Sequence, residues 1–141
     1  MKLGLVLGVV VLGLATACGG GDDGGAGGSG DGGEAGVIDM KLDEMNNSGK
    51  SGTAQLQAGA ASTDVTIEIK GKSDLDPIHV HTGTCDNPGS EVVHDVGFTN
   101  ADLGQGQIFV PINEVATGEF ILDIHDDQTN KVIMCGQIPK Q

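Results

Sequence analysis

Four histidines and three cysteines are the side chains of this 141-residue sequence most suited to metal or thiol chemistry: His79, His81, His94 and His125, with Cys18, Cys85 and Cys135. Residues 78–85 read IHVHTGTC. Strand alternation puts Ile78 and Val80 on one face and His79 and His81 on the other. Two imidazoles leaving a strand side by side suit two ligands to one metal, and copper and zinc both accept imidazole. In GEFILDIH, residues 118–125, the apolar face is Phe120, Leu122 and Ile124, while His125 shares the opposite face with Ile121 and Asp123. His94 lies in EVVHDV and shares a face with Val92 and Val96, which would ordinarily pack inward. A buried structural histidine and a metal ligand fit that position equally. For the HVH pair, polar residues on a wet sheet face are the other possibility. Three of the four histidines, however, lie on outward faces of strands that could be neighbours, each just before a turn.

The elements that must position these residues are short strands. DVTIEIK, residues 64–70, alternates strictly and puts Val65, Ile67 and Ile69 on one face. Similar signals predict strands at 37–45, 52–57, 63–71, 77–82, 91–97, 106–111, 118–125 and 131–138, separated by Gly, Asn and Asp. No window has a sustained helical period beyond a short turn at 113–116. About eight short strands of this kind suggest an all-β sandwich or barrel. With only Phe98, Phe109 and Phe120 as aromatics, Val, Ile and Leu must supply most of the core.

The N-terminal residues 1–18, MKLGLVLGVVVLGLATAC, read as a secretory signal whose apolar run is too short to span a membrane. Ala15, Thr16, Ala17 and Cys18 resemble a bacterial lipobox, although the position three before the cysteine is more often Leu. The resemblance implies lipidation of Cys18 and anchoring at the bacterial cell envelope, facing the periplasm or cell surface; an ordinary signal cut near Ala17 is the alternative. Residues 19–36, rich in Gly and Asp, lack the side chains to bury surface and read as a flexible tether. The folding domain is 37–141.

Outside the cytoplasm, with Cys18 taken by lipid, Cys85 and Cys135 remain as an even pair and are predicted to be bonded, two reactive thiols being the other arrangement. Closing a loop of about fifty residues stabilises a fold by roughly 4 kcal/mol in the chain-entropy account. The chain has a net charge of −13 and no arginine, and from Val37 onward sixteen acidic residues face six lysines. Nucleic acid is excluded as a partner. Such a field repels small anions and attracts cations. The Gly-rich run has no strand and helix around it, as a phosphate loop needs, and HDDQTN lacks the spacing and terminal Glu of a calcium hand.

Three blocks resemble the copper/zinc superoxide dismutase family: TDVTIEIKGKSDLDPIHVHTGTC, ILDIH and VIMCGQI, in the family's order and together covering most of residues 50–139. The resemblance implies an antiparallel Greek-key β-barrel or sandwich. It also implies copper bound by His79, His81 and His125, with His94 at the remaining copper position under altered spacing, and a family disulfide at Cys85 and Cys135. The family's zinc ligands have no counterpart, so no zinc site is expected. Its active-site arginine falls at Val132, beside Lys131. Copper-only relatives also lack the zinc site, although they keep that arginine. Chordin-type (CHRD) domains show a second similarity, in an HIH strand, a late VH strand and a GQI-like end.

Three functions follow from these resemblances. The first is a copper enzyme converting superoxide to oxygen and peroxide, slow because the domain is acidic and lacks arginine. The second is a copper-binding lipoprotein without turnover, and the third a metal-free CHRD-like interaction module held off a membrane.

Overall fold

The computed structural model describes residues 36–141. The signal segment, Cys18 and residues 19–35 of the tether lie outside them. Six strands follow in order: β1 (Val37–Glu44), β2 (Ser51–Ala58), β3 (Thr63–Thr84), β4 (Asn87–Ile108), β5 (Phe120–His125) and β6 (Val132–Gln137). A single helical turn, α1 (Ile112–Val115), lies between β4 and β5 at the predicted short turn and buries Ile112 and Val115.

Every strand pairing is antiparallel. Strands β1, β2, β3, β5 and β6 form a closed ring, with β6 returning to β1, and β4 is an additional strand laid along β3. The fold is thus an all-β antiparallel barrel, but of six strands, not the eight that the sequence suggests. The expected strands 63–71 and 77–82 are two halves of β3, and 91–97 and the first half of 106–111 are absorbed into β4.

The intervening GKSDLDP looks like a break because Gly, Asp and Pro punctuate strands. The chain bends here, with φ of 100° at Gly71 and 59° at Leu75, and 58° at Ala101, the partner of Ser73. The ladder nevertheless continues through shifts of register between Glu68 and Ser73 and between Asp74 and Pro77. Bulges of this kind bend a strand without ending it. The two long bent strands carry the sheet around a corner.

Alternation fills the interior from each strand. Ile38, Met40 and Leu42 come from β1, Leu56 from β2, Val65, Ile67, Ile78 and Val80 from β3, Leu122 and Ile124 from β5, and Met134 from β6. The core is aliphatic, as expected: Phe98 and Phe109 are exposed and Phe120 only packs against its margin. The seam between β1 and β6 is short, pairing Asp43 with Cys135 and Glu44 with Met134. Beside it, a Cβ at Gly136 would collide with the Lys41 carbonyl, so only glycine allows this approach. Cys85, just past β3, is bonded to Cys135 in β6, with Cα atoms 5.8 Å apart. The predicted disulfide therefore ties the end of the HVH strand to the barrel seam.

Candidate metal centre

The second half of β3 lies against β5, with His79 directly opposite Asp123 and His81 opposite Ile121. Residues facing each other across a ladder project from the same face. Alternation along β5 adds His125 to that face. Three imidazoles and one carboxylate consequently converge where β3 and β5 run side by side. The ring centroids of His79, His81 and His125 lie 5.1–5.8 Å apart. One donor atom from each of His79, His81, Asp123 and His125 lies within 4.8 Å of all the others.

The rings are held from behind. His81 Nδ1 lies 3.0 Å from the Gly89 carbonyl, and His125 Nδ1 lies 3.3 Å from the Asn130 carbonyl. When these nitrogens carry the proton and donate it to the carbonyls, Nε2 of each ring is left as a free lone pair facing the cluster. His79 presents Nδ1 instead. The buried atoms His79 Nδ1, His81 Nε2, His125 Nε2 and both carboxylate oxygens of Asp123 have no hydrogen-bond partner. Asp123 Oδ1 stands 3.7 Å from His81 Nε2, beyond hydrogen-bond reach, and 3.3 Å from His125 Nε2, where a protonated imidazole could bond to it but the present alignment makes no well-formed hydrogen bond.

Electrostatics separates two of the imidazoles. The adjacent Asp123 carboxylate, with help from the Asn130 carbonyl, raises the His125 pKa above 6.5 against the opposing effect of burial. Burial first, and the charge of His125 second, lower that of His79, outweighing the pull of Asp123 and Asp95.

A polar network fixes the turn after His125. Asp126 Oδ1 accepts hydrogen bonds from the Gln128 and Thr129 amides and the Thr129 hydroxyl, and these bonds lower its pKa. The turn is tied to the bend in β3 by Asp76, whose Oδ1 accepts from the Asp127 amide at 3.1 Å. Its Oδ2 accepts from Lys50 Nζ at 3.1 Å and from the Ser73 hydroxyl, and its own amide donates to Thr99 Oγ1. Asp76, Asp126 and Asp127 also approach one another. The Asp76 carboxylate is fully used by these protein donors, unlike that of Asp123.

The structure brings together three of the four histidines singled out in the sequence. His94 is opposite Val80 and so projects from the other face of the sheet from His79 and His81. Simple alternation misassigns this part of β4 because Val93 and Val96 are left without partners at register shifts, so Val92 faces His81 while Val96 is buried. Asp123 is the member that sequence reasoning missed. Its signal was present, since it shares a face with His125, but a lone carboxylate on a strand reads as ordinary solvated polarity. Two surface concavities of about 550 and 570 Å³ run along β1 and β2, and none of the four residues lines either.

No protein-family profile, curated protein or solved structure matches the chain.

Proposed function

We propose that this protein is a copper-binding lipoprotein of the bacterial cell envelope, a Greek-key barrel of the superoxide dismutase type that holds the ion through His79, His81 and His125. The observation that carries this reading is the set of buried, unpartnered donor atoms aimed at one point. Buried polar atoms without partners are rare and costly in folded proteins, and a metal ion satisfies all of these at once. A shell of ligands about 2.0–2.2 Å from an ion places donors about 3–4 Å apart, which the Asp123 separations of 3.3 and 3.7 Å match. Among divalent first-row ions, copper binds such nitrogen-rich sites most strongly. The lipobox-like segment ending at Cys18 supports an anchor in the membrane, and the acidic surface favours capture of cations.

Retention of the ion is the function best supported. Asp123 and Asp95 are the charges around the histidines, and Val132 occupies the place of the family's arginine. Slow dismutation is a second reading, favoured by the partial exposure of His79, which leaves the cluster accessible to a small molecule. Bound copper would supply the electron exchange for it, while the protein would hold the ligands and keep the approach open. The metal-free CHRD-like module is the reading that fails to explain the unpartnered atoms.

The test is electron paramagnetic resonance of the full chain titrated with Cu(II), beside His79→Ala, His81→Ala and His125→Ala. One tetragonal signal per chain with imidazole couplings, altered in each variant, is expected. Heterogeneous copper indifferent to all three changes sinks the assignment and leaves the metal-free module. A superoxide assay on the loaded protein then separates retention from dismutation.

A further inference from the structure

Asp123 is 1% exposed, yet neither of its oxygens receives a hydrogen bond. Its charged neighbours within salt-bridge distance are His81 and His125. Both imidazoles must be neutral when they serve as ligands. The carboxylate would then be a buried anion without a counter-charge, which proteins strongly disfavour. The missing partner is a cation, and the charge of the carboxylate bears on which cation that is.

In a buried site of low effective dielectric, one negative ligand stabilises a doubly charged ion much more than a singly charged one. Donor chemistry acts in the same direction. Carboxylate oxygen is a hard ligand, whereas Cu(I) prefers thiolate and thioether sulfur. The sulfur facing Asp123 across the β5–β6 ladder belongs to Cys135 and is held in the disulfide, so it offers no thiolate. We propose that Asp123 is the fourth donor of the site and sets its preference for divalent ions, so that copper is held as Cu(II) and not as Cu(I). This inference rests on the copper-binding function above and deepens it. It makes the protein a keeper of oxidised copper.

The test compares the affinities of the full chain for Cu(II) and, anaerobically, for Cu(I), each against a competing chelator, in wild type and Asp123→Asn. The substitution keeps the shape of the side chain and removes its charge. Cu(II) affinity is expected to fall at least about 10-fold, the least that loss of a group supporting a metal ligand costs, and Cu(I) affinity to change by less than about threefold. Equal losses for both ions, or an unchanged Cu(II) affinity, overturn the proposal. A measurement that needs no variant is carbon-13 NMR of aspartate-labelled wild type with one equivalent of Zn(II): the Asp123 carboxyl resonance shifts if it is a ligand, and an unmoved resonance overturns the assignment. If the histidine variants abolish Cu(II) binding while Asp123→Asn does not affect it, copper binding stands and only the role of Asp123 falls.

Discussion

Cys135 faces Asp123 directly across the β5–β6 ladder, so the disulfide to Cys85 is anchored at the register position of the cluster's carboxylate. Its other end follows the strand that bears His79 and His81. The bond therefore ties the end of β3 to β6, the strand paired with β5, as well as closing a separation of 50 residues.

Replacing both cysteines, Cys85→Ser with Cys135→Ser, is expected to lower unfolding stability by about 4 kcal/mol, the chain-entropy value for a loop of this length. Urea unfolding of the metal-free protein with and without reductant measures the effect. The reduced wild type should match the double variant. A reduced protein as stable as the oxidised one would mean that the barrel seam holds without the bond.

The ligand set is tested by single substitutions. His79→Ala, His81→Ala and His125→Ala are each expected to weaken Cu(II) binding by at least about 100-fold, beyond what loss of a supporting group costs. His94→Ala should leave it within about threefold, because His94 faces away with Val80. Competitive titration decides between them. A large loss in His94→Ala would place that ring in the site after all.

How much of this could be read from the sequence differs by level. The all-β class, the outward faces of His79, His81 and His125, and the Cys85–Cys135 pair follow from period-two alternation and cysteine count, both of which are local. The joining of strands into β3 and β4 does not, because Gly71, Leu75 and Pro77 carry the same signals whether a ladder ends or merely bends. His94 is opposite Val80, on the inward face that alternation gives it, and only the resemblance put it among the ligands; what alternation misplaces is Val92, because nothing local marks Val93 or Val96 as the residue left over in a bulge. Asp123 was on the right face, but its importance lies in having no partner, which depends on what β3 brings alongside. Asp76 is still less legible, since its donors come from Lys50, Ser73 and the Asp127 amide, distributed across three segments of the chain.

The metal-free site has opposed proton linkages. His125, raised by Asp123, holds its proton more tightly when folded. Its contribution to stability is complete below 6.5 and is lost as pH rises through its raised folded value. For His79 the sign is reversed: its folded pKa is lowered, so stability is lost as pH falls below 6.5 towards that value. NMR titration of the ring protons should show His125 titrating above 6.5 and His79 below it, with His125 moving down in Asp123→Asn. Because Cu(II) must displace the His125 proton, copper affinity should begin to fall with acid at a pH above 6.5. Coincident midpoints for the two rings would refute the electrostatic picture.

Asp76 offers a test of whether the turn behind His125 is held from a distance. Its carboxylate accepts from the Asp127 amide, the Ser73 hydroxyl and Lys50, and Asn130, three residues beyond Asp127, supplies the carbonyl that faces His125 Nδ1. Asp76→Ala removes the acceptor from all three donors. Breaking a buried charge pair by deleting one partner costs about 3–5 kcal/mol, and partial solvent access at Lys50 puts the expected loss here nearer about 3 kcal/mol. If the network also orients His125, Cu(II) affinity in the folded variant should fall about tenfold, as for other groups that orient a ligand. Chemical denaturation and copper titration of one preparation give both numbers. A destabilised variant that still binds Cu(II) at wild-type affinity would show that the hydrogen bonds of Asp126 to Gln128 and Thr129 suffice to hold the turn, and that Asp76 serves the barrel corner alone.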